Sequence, residues 1–407
     1  MKNNTKIGLI IIAAFTLILI SACVKDNCGD GVCQPREERE GNCPEDCEKI
    51  SPKESPVKED LCIVKSIEAI GEGAFPQWSA KSNLIAFNKE VYGTHEIFTM
   101  RPDGNDVKCL TCGRSELPLK GHKGQPVWHI SGDYIVFTAE NTDYPKLRLG
   151  LNAYPDCGRN HNVWIMSADG NTFWQMTDYE ENWGVIRPRF SSDGTMLFWS
   201  EEWGMGKYPG EGSVWSVSKN PKGEELGLWR IRIADISFSL GVPILSDKRT
   251  VYHEELSLLE GSGFTPDGKK IHFSSAPLAD TKGIALWGEI YISDLNGKNL
   301  IRLTNTPYQH DENSEISPDG TKIVWSHSDG SPGEAVDLYI MDIDGKNNAR
   351  LTYFSNKTNN EKIRCNEFSW SFDGKQIALA FGRGDNQAKE ISTIYMLTFE
   401  GACGNSK

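Results

Sequence analysis

Four stretches of this chain share one pattern. An aromatic or apolar residue precedes Ser or Thr, then one residue, then Asp-Gly, then an alternating apolar run. They read RFSSDGTMLFWSE (Arg189–Glu201), GFTPDGKKIHFSS (Gly263–Ser275), ISPDGTKIVWS (Ile316–Ser326) and SWSFDGKQIALAF (Ser369–Phe381). A second pattern alternates with it: HEIFTMRPDGNDVKCLT, HNVWIMSADGNTFWQMT, GEIYISDLNGKNLIRLT and VDLYIMDIDGKNNARLT. Asp-Gly suits turns that need positive φ, so each strand–Asp-Gly–strand stretch reads as a hairpin. Two successive hairpins make a four-stranded antiparallel sheet. Such a sheet has two faces to cover, and radial stacking of copies covers both.

The turns at Asp193, Asp267, Asp319 and Asp373 mark the units, the last two gaps being about 52 and 54 residues, within propeller-blade range with some insertion. Six units begin near Pro76, Pro126, Pro188, Ser262, Ser314 and Phe368. The third is the most degenerate, because its second half, Ser213 to Ile236, lacks Asp-Gly. The sixth ends STIYMLTFEGACGNSK, one strand short. The segment LCIVKSIEAI (Leu61–Ile70) belongs to no unit and is expected to supply that strand. Cys62 lies on it, and Cys403 follows the strand it would pair with. A Cys62–Cys403 bridge would clasp the ring and restrict the unfolded chain strongly. The expected fold is all-β: a six-bladed β-propeller of four-stranded antiparallel blades over residues 61–403, closed by an N-terminal strand, with a small disulfide-rich segment before it.

The N-terminus reads as an export signal over residues 1–22. Lys2 and Lys6 precede an almost wholly apolar run, Ile7 to Ile20, too short for a comfortable spanning helix. It ends Ile20-Ser21-Ala22-Cys23, which looks like a lipobox and would make Cys23 a lipidated mature N-terminus. The alternative is an ordinary signal with Cys23 in a disulfide. Either way the protein works outside the cytoplasm, periplasmic or on the cell surface. Of 11 cysteines, an even ten remain without Cys23, as an oxidised exported protein wants. Residues 23–47 show no apolar periodicity. They carry Cys28, Cys33, Cys43 and Cys47, read as two disulfides rather than a zinc site. Asp30, Glu45 and Asp46 there fit either a calcium site or a solvated acidic spacer. Residues 48–60, rich in Pro, Ser and charge, read as a semi-rigid linker. The net charge of −13 without a Lys/Arg cluster argues against nucleic acid and against binding an anionic membrane surface.

The repeats SPDGTKIVWS and DLYIMDIDGKNNARLT, with their near copies, resemble the WD40-like (PD40) repeats of the TolB family. The resemblance covers residues 75–401 in patches and implies the six-bladed propeller. It implies no single function, since such propellers serve as periplasmic scaffolds, sugar-active enzymes and non-catalytic peptidase domains. The repeats start almost at once after the linker, without room for the α/β domain that links TolB to its membrane complex. The Tol–Pal role is therefore not carried over.

In a blade with strands A to D, the A–B and C–D turns lie on one face of the ring, here called the turn face. The B–C loops and D–A links lie on the other, the loop face. The long segments are nearly all of the second kind: Asn141–His161, Glu202–Gly212, Pro277–Gly288 and the link Ser237–Gly261. Recognition sits on elaborated loops, so the binding surface is expected around the loop-face mouth of the central channel. Candidate groups are His122, Arg148, His161, Trp183, Arg187, Arg189, Trp203, His253, Glu254, Glu255, His310, Asp311, Glu312 and Glu315. Arg189 and Glu315 occupy equivalent strand-A positions. His253-Glu254-Glu255 and His310-Asp311-Glu312, in neighbouring links, could hold a divalent cation. Cys109 and Cys112 form a lone CxxC read as structural, with Cys157 and Cys365 as further possible partners. Two readings follow. One is a membrane-tethered binding or scaffold protein for an envelope protein or glycan. The other is a metal-assisted carbohydrate lyase or hydrolase. No G-x-S-x-G occurs, which excludes the serine-peptidase pattern.

Overall fold

A computed structural model describes residues 62–403 apart from 145–153, 156, 182, 207–225, 255–256, 278–287, 307–308, 329–335, 355–362 and 384–390. The stretches read as signal and linker, with Cys23, Cys28, Cys33, Cys43, Cys47, Arg148 and Glu255, lie outside the described residues. Blade one holds β2 (Ala74–Trp78), β3 (Ile85–Val91), β4 (Thr94–Met100) and β5 (Lys108–Cys109). Blade two holds β6 (Lys123–Trp128), β7 (Tyr134–Glu140), β8 (His161–Ser167) and β9 (Phe173–Gln175). Blade three holds β10 (Gly184–Phe190), β11 (Met196–Gly206), β12 (Leu226–Ser239) and β13 (Val242–His253). Blade four holds β14 (Ser257–Phe264), β15 (Lys270–Pro277), β16 (Glu289–Asp294) and β17 (Ile301–Arg302). Blade five holds β18 (His310–Ile316), β19 (Lys322–Ser328), β20 (Val336–Asp342) and β21 (Ala349–Arg350). Blade six holds β22 (Ile363–Trp370), β23 (Gln376–Arg383) and β24 (Ile391–Phe399), completed by β1 (Val64–Glu72) from the other end of the chain.

The first strands touch in a closed cycle, β2–β6–β10–β14–β18–β22–β2, so they line the axis of a ring. Each of six hydrophobic clusters sits between two neighbouring blades. Val127, Val136 and Val163 of blade two meet Val185, Leu197 and Trp199 of blade three. Ile85 and Phe87 of blade one meet Ala378 and Ile394 of blade six. A blade alone would leave both faces wet; the ring buries both, at roughly 1.5–3 kcal/mol for each large apolar side chain fully buried. The ring closes as expected. β1 runs antiparallel to β24, with Val64 opposite Phe399 and Glu72 opposite Thr393. Cys62 and Cys403 are disulfide-bonded across this seam, their Cα atoms 5.0 Å apart.

The two sequence signatures have separate structural reasons. In the first, Ser317 Oγ donates to Asp319 Oδ1 (2.6 Å), which also accepts from Thr321 N (3.1 Å), while Lys322 N donates to Ser317 Oγ (2.9 Å). Gly320 supplies the positive φ of 75°. Ser191 with Asp193, Thr265 with Asp267 and Ser371 with Asp373 repeat the arrangement. In the second, the Thr after strand D is a clamp. Thr352 Oγ1 accepts from Leu338 N (2.9 Å) and donates to Asp337 Oδ1 (2.8 Å). Thr111 with Glu96, Thr177 with Asn162 and Thr304 with Glu289 are its copies. The residue two before the Thr braces its carbonyl: Gln175, Arg302 and Arg350 each donate to it at 2.7–2.8 Å. In blade one that position is Cys109, and a Cys109–Cys112 disulfide takes the brace's place. The CxxC thus pairs within itself rather than with Cys157.

Blade three departs from the sequence expectation. Ser237–Gly261 is not a long D–A link, and the second half of the unit does not end at Ile236. β12 runs on to Ser239, turns at Leu240-Gly241 and returns as β13, with Ser239 opposite Val242. Leu240 (φ 51°) and Gly241 (φ 82°) both take positive φ. A Leu-Gly pair therefore does what Asp-Gly does elsewhere, and a search for Asp-Gly passes over it.

Candidate functional site

Every first strand carries an irregularity in its pairing with the second, at Ala74/Gln77, Gly124/Val127, Ile186/Arg189, Gly261/Gly263, Glu312/Glu315 and Cys365/Glu367. Phe75, Gln125, Arg187 and Asn313 sit there at φ between 54° and 56°. A bulge re-aims the side chains around it, and six bulges aim six sets at one axis. Blades three and six are opposite in the ring, yet their side chains meet. Arg187 Nη1 pairs with Glu367 Oε1, and Arg189 Nη2 lies 3.0 Å from Glu367 Oε2. Arg187 Nη2 also reaches Glu260 Oε2 of blade four at 3.0 Å, and Arg189 Nη2 lies 3.8 Å from Glu315 Oε1 of blade five. Gln125 of blade two accepts from Arg187 N (2.6 Å), and Gln77 of blade one lies beside Glu315. All six blades therefore contribute to one network across the channel.

Two cations face three carboxylates. Glu260 and Glu367 have close guanidinium partners; Glu315 is the remainder. Burial pushes its carboxyl up to about 7, against the pull of Arg189, Arg187 and Gln77. Burial also lowers Arg189 to about 10. His272, buried behind the network, is held down to about 3 by burial and then by Arg189, and its Nδ1 lies 2.8 Å from Ser314 Oγ. The network can hold or move one proton near neutral pH, at Glu315.

The sequence-predicted residues divide into groups. Arg187 and Arg189 stand fourth and sixth of the seven residues of β10, and Glu315 sixth of the seven of β18. They lie inside the channel toward the turn face, not at the loop-side mouth. His310, first in β18, is at that mouth, its Nε2 2.9 Å from Glu312 Oε2. Burial opposes its protonation, but Glu312, Glu260 and Asp311 together raise its pKa. Asp311 is fully buried and accepts from His327 Nδ1 (2.6 Å), Trp325 Nε1 (2.9 Å) and Thr306 Oγ1 (2.8 Å), so it ties strands together. His161, fully buried, has Nδ1 3.1 Å from Thr138 Oγ1 within its own sheet. His122 Nδ1 lies 3.0 Å from His95 Nδ1, between blades one and two. His253 is exposed at the end of β13, and Glu254 accepts from Ser275 Oγ at 3.0 Å. His253 ends the outermost strand of blade three, while His310 starts the innermost strand of blade five. Their triplets flank the successive links into β14 and β18, His253 at the outer edge of the ring and His310 at its axis. Among the described residues no three His, Cys, Asp or Glu converge as a metal would require. Trp203 pairs with Leu228 through its backbone.

A second cluster lies between blades two and three. Glu201 is fully buried and accepts from Tyr179 Oη (2.5 Å) and Arg230 Nε (2.6 Å), with Arg232 Nε at 3.7 Å. Burial, and then Glu201, holds the Tyr179 phenol well above its ordinary pKa. Trp183 stacks on Tyr179, ring centroids 6.1 Å apart. Sequence reading found Trp183 but missed Tyr179, Glu201 and Arg230, and in the channel it missed Glu260, Glu367, Gln77 and Gln125. Aligning the units on their A–B turns was the available signal. It places Gln125, Arg187 and Glu367 in one column, and Gln77, Arg189 and Glu315 in another.

No family model matches the chain. Over 95 residues, 23% of this chain, it is 30% identical to tricorn protease homolog 1 of Streptomyces coelicolor, of which it spans only 8%. Among solved structures it is similar to TolB of Acinetobacter baumannii, with 17% identity, TM-score 0.47, and coverage of 82% of this chain and 64% of that one. It is also similar to a gluconolactonase of Xanthomonas campestris, with 11% identity, TM-score 0.50, and coverage of 86% and 95%. Likeness at such identities concerns the fold, a propeller whose neighbours include TolB.

Proposed function

We propose that this protein is a lipid-anchored, extracytoplasmic propeller that binds a protein or glycan of the cell envelope through its loop face. One observation carries the reading. β1 enters blade six at the Phe399 end of β24, which is the turn face. The segment before Cys62, with the lipobox at Cys23 read from sequence, therefore leaves from the turn face. A membrane reached through it would lie on that side, and the loop face would point away, open to partners.

A crosslinking pull-down from native envelope tests this, comparing wild type with two variants. One replaces residues 145–153 with Gly-Ser; the other carries Leu240→Asp on the turn face, where Leu240 is fully exposed. Partners lost only in the first variant support the proposal. Partners lost only in the second, or kept in both, overturn it. A second reading, a carbohydrate-active enzyme, rests on Glu315: a carboxyl near 7 in a channel beside an arginine is what general acid–base work needs. Turnover of any member of a glycan panel, abolished in Glu315→Gln, would put that reading first.

A further inference from the structure

The cluster between blades two and three borders an open depression of about 230 Å³, lined by Asp178, Tyr179, Glu180, Trp183, Glu201, Arg230 and Lys248. We infer that it is a binding site for one neutral sugar ring of a glycan. This rests on the loop-face reading above and sharpens it, because Tyr179 to Trp183 belong to the link from blade two to blade three, on that face.

The argument starts from the wall. Tyr179 and Trp183 stack with their planes 23° apart. Trp183 is half-buried, so part of its ring meets the depression. Ring C–H faces pack on such aromatic surfaces, which supply contact area at little cost in side-chain entropy. The floor is fixed. Tyr179 Oη, Arg230 and Arg232 hold Glu201, and Trp199 Nε1 donates to Tyr179 Oη at 3.0 Å. Arg230 also lies over the Trp183 ring at 5.9 Å, and Lys248 Nζ over the Tyr179 ring at 5.9 Å. A platform whose geometry is set before ligand arrives loses little on binding.

Charge then selects the ligand class. Asp178, Glu180 and Glu201 line the site against Arg230 and Lys248, leaving one negative charge in excess, so the site disfavours an anion. What it does offer is a rim of hydrogen-bonding groups of both kinds. Asp178, Glu180 and Lys248 are all exposed. The two carboxylates accept from sugar hydroxyls, and the ammonium donates to a hydroxyl oxygen. Aromatic wall, mixed polar rim and a small negative excess together match a neutral pyranose better than a uronate.

The test is ligand-observed NMR and calorimetry on the full mature chain with glucose, galactose, mannose and N-acetylglucosamine and their short oligomers. Galacturonate and glucosamine serve as charged counterparts. Trp183→Ala is expected to weaken binding of the preferred neutral sugar about tenfold by removing the stacking face. Lys248→Ala and Asp178→Asn, on exposed side chains that leave the core intact, should each weaken it about threefold. Absence of binding by every neutral sugar, equal affinity in all three variants, or tighter binding of a charged counterpart would overturn the inference. Loss of sugar binding with envelope crosslinks intact would leave the loop-face proposal standing with a protein partner.

Discussion

The Thr clamps and the channel wall come from the same repeat, yet they behave oppositely. Thr111, Thr177, Thr304 and Thr352 make nearly the same bonds in four blades. Along the axis, the aligned positions hold Gln125, Arg187 and Glu367 in one column and Gln77, Arg189 and Glu315 in the other. A clamp serves its own blade, so what suits one suits all. Channel side chains meet each other, and six identical charges at one axis would repel. The symmetry of the fold must therefore break where the blades converge, and the break is where a charge network, and any function built on it, becomes available.

Removing Arg187 should separate the two regions most sharply. Arg187→Met leaves Glu260 and Glu367 buried with one fewer cation, and a broken buried pair costs about 3–5 kcal/mol. Urea unfolding measures it, and a loss under 1 kcal/mol would mean the network is less desolvated than its geometry implies. The clamp should be worth less. Thr352→Val keeps the shape but strands Leu338 N and one bond of Asp337, for about 1–3 kcal/mol on the same curve. If it costs more than Arg187→Met, the outer clamps rather than the axis dominate stability.

Turns come next. Gly320→Ala meets no close atom, its nearest neighbour being Pro266 Cγ at 3.8 Å. Only the positive φ is strained, so about 1 kcal/mol should be lost. The finest contrast is in pH. Glu315 has a folded pKa near 7, raised from the ordinary 4.5. Its contribution is fully present below the unfolded value and is lost as pH rises through the folded one. Wild type should thus lose stability between about pH 4.5 and 7 relative to Glu315→Gln, whose urea midpoint should be flatter there. Parallel curves for the two would remove Glu315 as the titrating member of the network.

Much of the ring was legible because its repeats are local. A Ser-x-Asp-Gly turn bonds within six residues, so its chemistry is written in consecutive letters. The missing strand of blade six was legible by bookkeeping, one segment unassigned and one place unfilled. The Leu240-Gly241 turn was not, since positive φ there falls on a residue that does not announce it. Glu260 was hidden for another reason. The blade-four bulge falls at Gly261/Gly263, which shifts its column by one, and a pattern match cannot see a shift that pairing geometry makes. His253 and His310 looked like partners because 57 residues is about one unit. In the ring His253 ends an outermost strand and His310 starts an innermost one, because β13 occupies most of what looked like a link.

By itself the sequence determined the all-β class, the six-unit ring, the closing strand and its Cys62–Cys403 clasp, and which turns are plain. Each follows from short-range pattern and from the need of every sheet to cover two faces. Only the tertiary structure decided that Arg187 and Arg189 belong to the channel interior, that Glu367 crosses from the opposite blade to meet them, and that Tyr179, Trp183 and Arg230 frame a depression. Those contacts join residues far apart in the chain, such as Arg189 and Glu367, 178 positions apart, and their energies depend on burial that exists only once the ring has closed.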